Sequence, residues 1–531
     1  MGFMAKNNIE LNEQFVEALE AMENTSKHIF ITGKAGTGKS TLLDYFRSVT
    51  RKKIVVLAPT GVAALNVRGQ TIHSFFGFKP DITLDKVKKA KGKRSRLFKE
   101  IDAVVIDEIS MARADLMDCL EKSLRLNGKN PKLSFGGAQM IFIGDLYQLP
   151  PVVTSKEKEI FTRHYSSPYF FSARLFDGFS MEFIELEKIY RQKDEYFIGL
   201  LNAVRNNSIT DEMLYALNKR VNASLREGNG ALAIHLTTTN QMAAEINACR
   251  LERLKEKIFT CPAEMSGEFE KHAYPADLEL QIAKGAQVML LNNDPAGSWV
   301  NGSVGEVEKI EYSGKGNVEA IYVRLRGGET EKVLPHSWEL FHYRFNENTL
   351  SIETETAGVF TQYPLKLAWA ITIHKSQGKT FDKVTIDLGN GAFAHGQTYV
   401  ALSRCVSLEG ITFKRPLKKS DIRMDWHIVE FLTKYQYALS ERDMPFEEKL
   451  KLIERAIEEG GCLDIVYLKA NDEKSRRRIQ PVYVGEKTYQ DVTFIGVDAY
   501  CLKRKEGRVF RVDRMLEIKP ARQAKNTHFP T

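Results

Sequence analysis

Short apolar runs that end in glycine or acidic residues recur in the first part of the chain. Residues 28–32 form one such run, Ala103–Ile106 a second and residues 140–143 a third. Their length and the polar segments that follow are typical of strands buried on both faces. The first run leads into a helical pattern over residues 41–49. Strand and helix patterns in this order predict an α/β fold built on a parallel sheet.

Later in the chain the pattern changes to short alternating segments separated by turn signals. From residue 284 to about residue 364, apolar and polar positions alternate and predict strands over residues 288–291, 305–310, 320–326 and 350–354. Alternation indicates strands with one buried face, unlike the continuous apolar runs before them. A β-rich insertion in an α/β domain follows from this change.

Two helical patterns and a second β-rich segment follow. Residues 426–434 and 446–459 repeat apolar positions at helical spacing, and Gly460-Gly461 is a helix stop signal. We expect residues 436–460 to be a helical linker and residues 461–531 to be a separate module.

Composition limits the class of protein. The 531 residues exceed one hydrophobic core and predict about three or four domains. With 43% hydrophobic and 27% charged residues, the chain has an ordinary globular composition. The formal net charge of +8 favours a polyanionic partner. Residues 461–531 carry 15 lysines and arginines against 9 acidic residues, so most of the positive excess lies there.

Membrane and disulfide signals are missing from the sequence. No run of about 18 to 20 apolar residues is long enough to cross a bilayer, and residues 1–10 have no signal-peptide core. We therefore expect a cytoplasmic protein with no membrane partner. The six cysteines form no close pairs, which predicts reduced, mostly buried thiols and no zinc or iron–sulfur site.

A complete phosphate-binding loop follows the first strand pattern. Glycines let backbone N–H groups turn inward around phosphates, Lys39 reaches the β- and γ-phosphates, and Ser40 ligates magnesium. The predicted cofactors are therefore ATP and Mg²⁺. The candidate ATP contacts are Gly33, Ala35, Gly36, Thr37, Gly38, Lys39, Ser40 and Thr41.

Acidic residues at the end of the second run supply the partners that hydrolysis needs. Asp107 is the candidate magnesium ligand, and Glu108 the candidate base for the attacking water. The third run leads to Gln148, which is placed to sense the γ-phosphate. Upstream, the amide of Gln14 could read the adenine edge, with a solvated surface glutamine as the alternative.

These blocks, in this order, resemble superfamily-one helicases that move 5′ to 3′, and among them the Pif-type (petite integration frequency) enzymes. Residues 57–64 and 71–76 are similar to the first two DNA-contact motifs of that family, and Phe135-Gly136-Gly137-Ala138-Gln139 to a Pif-type signature. Residues 190–192, 237–240, 370–380 and 400–404 match its later motifs. The resemblance covers about residues 10 to 415.

The resemblance implies a layout and further site residues. It implies two RecA-like lobes, over residues 1–180 and 181–435, with a wedge insertion near 76–100 and a small β-barrel insertion near 295–364. Arg191 and Arg404 would be arginine fingers, and Gln377 and Gly378 further ATP contacts. The implied contacts with single-stranded DNA are Pro59, Thr60, His73, Ser74, Phe75, Pro151, Thr239, Asn240, Thr372, His374 and Lys375.

Physical chemistry agrees with these roles in outline. Hydroxyl groups of Thr60, Ser74 and Thr372 can bond phosphates, and flat faces at Phe75 and Pro151 can stack on bases of any sequence. Core packing is the alternative for Phe75 and Phe76, and we expect one of the two to be core. Lys86 to Lys99 carries eight basic residues, which form either a solvated loop or a grip on duplex phosphates.

The terminal segment resembles a WYL domain, a small barrel of bacterial regulators and DNA-processing enzymes, although its Trp-Tyr-Leu triplet is not intact. We expect its basic cluster to add grip on single-stranded DNA, with a folding or protein-docking module as the alternative. Arg508 and Arg514 should share one face of a strand, with Arg511 opposite. The cluster comprises Arg476, Arg477, Arg478, Arg508, Arg511 and Arg514.

Taken together, the sequence predicts a bacterial ATP-dependent DNA helicase of a family that acts in replication, repair and telomere maintenance. Expected partners are single-stranded DNA and tailed or forked duplex, with G-quadruplex and RNA–DNA hybrid as further candidates, and the expected state in solution is a monomer. The alternative is a DNA-stimulated ATPase that acts as a regulatory switch or as a translocase that does not unwind.

Overall fold

The computed structural model describes residues 12–79, 81–222, 232–267, 269, 274–314, 317–489 and 491–521. Two compact units are present. One unit ends at Arg205 and resumes over Ile209–Met424, and the other holds Asn206–Ser208 and the chain from Asp425 onward. The expectation for residues 1–10 lies outside the described residues. Among the described helices, none is long and apolar enough to cross a membrane.

The first lobe is a parallel sheet covered by helices, as the apolar runs predict. Its helices are α1 (Glu13–Asn24), α2 (Lys39–Val49), α3 (Gly61–Asn66), α4 (Ile72–Phe76), α5 (Gly92–Glu100), α6 (Ala114–Asn127) and α7 (Ser155–Thr162). Its strands are β1 (Ile29–Gly33), β2 (Ile54–Ala58), β3 (Gln70–Thr71), β4 (Ala103–Ile106), β5 (Gln139–Ile143) and β6 (Glu182–Leu186). They lie in the order β3-β2-β4-β5-β1-β6.

The predicted buried strands are confirmed. Every residue of β1, β4 and β5 is buried, because helices cover both faces of the sheet. On one face, Phe15 and Met22 of α1 and Leu42 and Phe46 of α2 pack against this sheet in one apolar core. The strand order places the carboxyl ends of β1, β4 and β5 side by side, so the residues that follow them meet at one edge.

The second lobe repeats this plan on a smaller parallel sheet. Its helices are α8 (Glu195–Arg205), α9 (Asp211–Asn218), α10 (Asn240–Arg253) and α11 (Gln397–Ser403). Its strands are β7 (Ile234–Thr237), β18 (Ala370–Thr372), β19 (Val384–Asp387) and β20 (Ile411–Phe413), in the order β18-β7-β19-β20. The expected pair of α/β lobes is therefore confirmed.

A β-rich insertion separates β7 and α10 from β18. It contains β8 (Phe259–Pro262), β9 (Glu264–Gly267), β10 (Glu279–Ile282), β11 (Gln287–Leu290), β12 (Val304–Tyr312), β13 (Val318–Leu325), β14 (Thr330–Val333), β15 (His336–Asn346), β16 (Ser351–Gln362) and β17 (Leu365–Leu367). The expected start near residue 295 is too late, because β8 and β10 already pair and place Phe259, Leu280 and Ile282 in the same core as Val307 and Ile321.

The other unit is an antiparallel sheet with two helices. The helices are α12 (Trp426–Asp443) and α13 (Phe446–Glu458), and the strands are β21 (Leu463–Leu468), β22 (Lys474–Tyr489), β23 (Val492–Cys501), β24 (Glu506–Arg511) and β25 (Met515–Pro520). Their order is β24-β23-β22-β21-β25. Gly460 adopts φ +62° after α13, as expected of a helix stop.

Two expectations for this unit are wrong. Residues 436–460 are not a linker, because Ile453 and Ala456 of α13 pack into the core with Leu463 and Ile479. Arg514 does not share a strand with Arg508, because β24 ends at Arg511 and a 3₁₀ turn over Val512–Arg514 follows. The buried Val512 begins this turn, so side-chain alternation stops there.

Candidate functional site

Left-handed backbone shapes the phosphate-binding loop between β1 and α2. Gly36 (φ +84°) and Gly38 (φ +86°) adopt conformations that glycine accepts readily. A Cβ atom on Gly36 would lie 2.6 Å from Cβ of Arg191, so the second lobe packs directly on this loop. The backbone N–H of Tyr190 donates to the carbonyl of Gly36 at 2.8 Å. The remaining predicted contacts of the loop, Ala35, Thr37, Ser40 and Thr41, lie in the same segment.

Lys39 lies half-buried inside the loop. Its Nζ donates to the carbonyl of Gly33 at 2.6 Å. Burial lowers its pKa, while the carboxylates of Asp145, Glu108 and Asp107 oppose that shift. A phosphate placed among these N–H groups would stabilise the charged form of Lys39.

Asp107 and Glu108 follow β4 at the edge where the loop begins. Burial, with the neighbouring Glu108, raises the pKa of Asp107 to about 7, and burial raises the pKa of Glu108. Glu108 has φ +49°, an uncommon backbone for a non-glycine residue, and its side chain accepts from Gln377 of the second lobe. A buried and a half-buried carboxyl group on adjacent residues favour binding of a cation.

Magnesium fits the residues present. The Ser40 hydroxyl and the Asp107 carboxylate are hard oxygen donors, which Mg²⁺ prefers, and the metal usually completes its shell with water and phosphate oxygens. Within the described residues, no group of three or more His, Cys, Asp and Glu side chains forms a protein-only metal cage. Nucleotide phosphates would therefore supply the missing ligands.

Both predicted arginine fingers belong to the second lobe, where the Arg191 guanidinium donates to the carbonyl of Ser403 at 3.2 Å. Arg404 is 1% exposed, and its guanidinium donates to the carbonyls of Val400, Ser376 and Lys379. Burial, with the nearby charge of Arg191, lowers the pKa of Arg404 to about 9. A buried and a half-buried guanidinium group that repel each other favour an anion between them.

Sequence reasoning missed a buried polar network that joins the lobes. The backbone N–H of Ala35 donates to the Tyr399 hydroxyl at 3.0 Å, and that hydroxyl donates to Asp145 at 3.3 Å. Arg205 of α8 also contacts Asp145 at 3.3 Å and lies 3.9 Å from the ring centroid of Tyr147. Asp145 and Tyr399 lie inside recognised motifs, but their pairing depends on how the lobes meet.

Gln148 and Gln377 meet at the acidic pair. The Gln377 amide donates to Glu108 at 2.9 Å and to Gln148 at 3.3 Å. Gln377 therefore lies beside the candidate base. Gly378 follows with φ +77°. Gln14 lies elsewhere, on α1, where its Oε1 accepts from the N–H of Glu187 at 3.1 Å.

The threonines that the sequence predicts to contact DNA lie at the starts of helices or turns. Thr60 caps α3 and Thr239 caps α10, each accepting from a backbone N–H. Thr372 accepts from the N–H of Lys375 at 3.2 Å. In each case the hydroxyl proton can still be donated to a phosphate. Thr60 and Thr239 therefore remain suited to contacts with the DNA backbone, as do the exposed Asn240 and Lys375, whereas Thr372 is buried.

Fewer flat side-chain faces are exposed for base stacking than the sequence predicts. Phe75 is 5% and Phe76 is 6% exposed, and both belong to an aromatic cluster with Phe98. Pro151 is also buried. The expectation that only one of the two phenylalanines is core is wrong, because α5 of the wedge packs over both. Pro59, His73, Ser74 and His374 remain partly exposed, and burial lowers the pKa of His374.

The wedge contacts the long hairpin of the insertion. Tyr343 of β15 accepts from the N–H of Val56 through its hydroxyl at 3.1 Å, and its ring contacts Phe75. Arg96 of α5 pairs with Glu347 in the turn of that hairpin. Arg94 donates to the carbonyl of Phe75. Lys86 also pairs with Asp81 at 2.6 Å, so at least three of the eight basic residues make structural contacts.

Half of the basic cluster in the other unit is paired internally. Arg478 pairs with Asp464 at 2.7 Å, Arg508 with Glu506 at 2.7 Å, and Arg511 with Asp513 at 2.6 Å. Arg476 is exposed on β22, and Arg477 and Arg514 are partly exposed.

The six cysteines of the chain are all free thiols, and four of them are buried.

Comparison with known proteins identifies relatives of both units. A family model described as PIF1-like helicase matches residues 6–213, and a WYL domain model matches residues 448–520. The ATP-dependent DNA helicase PIF1 of Homo sapiens is 36% identical over 76% of this chain, which spans 60% of that protein. The ATP-dependent DNA helicase Pif1 of Bdellovibrio bacteriovorus is 32% identical over 77% of this chain and 89% of its own length.

Solved structures of Pif1 proteins are also similar to this chain. Unliganded Pif1 from Bacteroides is 35% identical, with a TM-score of 0.72 over 81% of this chain and 98% of that one. Bacteroides Pif1 bound to single-stranded DNA is 36% identical, with a TM-score of 0.59 over the same shares.

Proposed function

This chain belongs to the PIF1-like helicase family, and from that premise we propose that it is an ATP-dependent DNA helicase that moves 5′ to 3′ on single-stranded DNA and unwinds duplex ahead of it. One observation carries the proposal. The loop, the acidic pair and Gln148 of the first lobe lie next to Arg191, Gln377 and Arg404 of the second lobe. ATP bound there would contact both lobes, so that hydrolysis would change their separation.

Each group in the cleft has a separate task in hydrolysis. Lys39 and the loop N–H groups bind the β- and γ-phosphates, and Glu108 accepts a proton from the attacking water. Arg191 and Arg404 stabilise the charge that develops on the γ-phosphate. Bound Mg²⁺, held by Ser40 and Asp107, supplies charge neutralisation on the phosphates.

Translocation requires strand contacts on both lobes that change with the cleft. Thr60, His73 and Ser74 are on the first lobe, and Thr239, Asn240, Thr372, His374 and Lys375 are on the second. Hydroxyl and basic groups bind phosphates without reading sequence, which suits a motor that must accept any base order.

Single-stranded DNA with tailed or forked duplex is the proposed substrate, as the related Bacteroides enzyme has been solved with single-stranded DNA. G-quadruplex and RNA–DNA hybrid are further candidates, and the proposed state is a monomer. Because the Bdellovibrio relative is bacterial, we place the protein in a bacterial cytoplasm.

An unwinding assay with tailed duplexes tests the proposal. Strand displacement with a 5′ single-stranded tail, and none with a 3′ tail, is the expected result. Displacement only from a 3′ tail would reverse the polarity. DNA-stimulated ATP hydrolysis without displacement on either tail would instead support a regulatory switch or a translocase that does not unwind.

A further inference from the structure

The amide of Gln377 is held between two groups of the hydrolysis site. Its Nε2 donates to Oε2 of Glu108 at 2.9 Å and to Oε1 of Gln148 at 3.3 Å. Gln377 belongs to the second lobe, whereas both acceptors belong to the first. One side chain therefore connects the base to the opposite lobe.

Asp145 fixes the direction of the second contact. The Nε2 of Gln148 donates to Asp145 at 3.4 Å, which turns the carbonyl end of the Gln148 amide towards Gln377. Asp145 is itself fully buried and held by Arg205 and Tyr399. These contacts hold Gln148 as a rigid acceptor. Two successive hydrogen bonds therefore link Gln377 to the buried ion pair of Asp145 and Arg205.

The hydrogen bond from Gln377 restrains the carboxylate of Glu108. The Gln377 amide occupies one carboxylate oxygen, Oε2, at 2.9 Å. It also fixes the orientation of the carboxylate, which must be free to meet the attacking water. Hydrolysis should therefore be slower while this contact persists.

Gln377 lies directly after residues proposed to bind DNA. Thr372 ends β18, and a short 3₁₀ turn over His374–Ser376 connects it to Gln377. Lys375 is exposed on that turn. Because Gln377 directly follows this turn, a DNA strand that shifts the turn must also shift Gln377.

We infer that Gln377 is a positioning residue that restrains the base Glu108 when no strand is bound, and that DNA on residues 372–375 withdraws it. The inference rests on the proposed function and supplies the link by which DNA accelerates ATP hydrolysis. Gln377 acts through Glu108 and Gln148 in this role.

Gln377→Met tests the link, because methionine nearly matches glutamine in size but cannot donate this hydrogen bond. We expect the kcat for ATP hydrolysis without DNA to rise about tenfold, the size expected for loss of one hydrogen bond to a charged group. The ratio of DNA-stimulated to DNA-free kcat should fall by the same factor. A gain in rate is a result that damaged folding does not produce.

Gln281→Met is the matched control, since Gln281 is exposed on β10 in the same half of the chain. It should behave as the wild type. Gln377→Ala removes the same hydrogen bonds by a second route and should also raise the DNA-free rate. An unchanged or lower DNA-free kcat in both Gln377 variants, with the stimulation ratio retained, overturns the inference. Wild-type protein that DNA does not stimulate would instead count against the proposed function.

Discussion

At the residue scale, burial shifts the pKa of five charged groups in the ATP cleft. Burial lowers the pKa of Lys39, Arg191 and Arg404 and raises that of Asp107 and Glu108. Each group is therefore held in a site that disfavours its charged form. Groups shifted together in one cleft are typical of a catalytic site. Triphosphate and magnesium would restore the charge balance there.

Substitutions of Lys39 and Glu108 should affect different steps, nucleotide binding and ATP turnover. Lys39→Ala should abolish nucleotide binding or hydrolysis, because Lys39 contacts phosphates of the ground state. Glu108→Gln should keep ATP affinity but stop turnover, because it removes only the base. Fluorescent-nucleotide binding and steady-state hydrolysis with saturating single-stranded DNA measure the two effects. Near-normal turnover in Glu108→Gln would reject Glu108 as the base.

The arginine fingers should matter for rate and not for DNA affinity. Arg191→Ala and Arg404→Ala should each lower DNA-stimulated hydrolysis by about a thousandfold or more, the contribution typical of such groups. Arg125→Ala, a change in an exposed ion pair on α6, is the control. If either finger variant loses DNA binding but keeps its rate per bound complex, that arginine belongs to the DNA track.

At the scale of elements, α4 and α5 are joined by an aromatic cluster that changes the role of Phe75. Its ring packs edge-on against Phe76 and Phe98, with centroid distances of 4.9 and 5.5 Å. Arg94 of α5 also donates to its backbone carbonyl. The wedge therefore packs against residues of α4 that the sequence motif alone would assign to contacts with single-stranded DNA.

Phe75→Ala should destabilise the larger unit by about 3–5 kcal/mol, as expected for a buried phenylalanine. Phe75→Leu should cost less and leave affinity for single-stranded DNA within about twofold, because no stacking contact of about 1–3 kcal/mol is lost. Thermal unfolding and fluorescence anisotropy measure the two effects. Full thermal stability together with much weaker DNA binding in Phe75→Leu would return Phe75 to the DNA track.

At the scale of the whole molecule, the boundary between units decides how the terminal module can be removed. Because Ile453 and Ala456 belong to its core, cutting at residue 461 would leave an apolar face of α13 exposed. A cut after Met424 follows the boundary of the unit.

Deleting residues 425–531 should lower affinity for single-stranded DNA but leave maximal ATP hydrolysis at saturating DNA nearly unchanged, since no residue of the ATP cleft is removed. Each phosphate contact contributes a salt slope of about −0.7 on single strands, so the dependence of affinity on salt should flatten. Anisotropy across a salt series measures the slope. The double variant Arg476→Gln/Arg477→Gln should reproduce part of the loss, and an unchanged slope would favour a folding or docking module.

The sequence determined the local features of this protein. Continuous apolar runs predicted β1, β4 and β5 nearly to the residue, because burial on both faces leaves no polar position within a strand. The loop and the acidic pair were equally readable, since their chemistry depends on neighbours in the chain. The order of the motifs then indicated the family, which the comparisons confirm.

Only the tertiary structure decided contacts between residues far apart in the chain. Gln377 meets Glu108 across 269 positions, and Tyr399 meets Ala35 across 364. The burial of Phe75 and the place of α13 in a core likewise depend on which surface covers them, and several surfaces could cover the same apolar face. Periodicity shows that a face is apolar, whereas the packing of distant elements decides what lies against it.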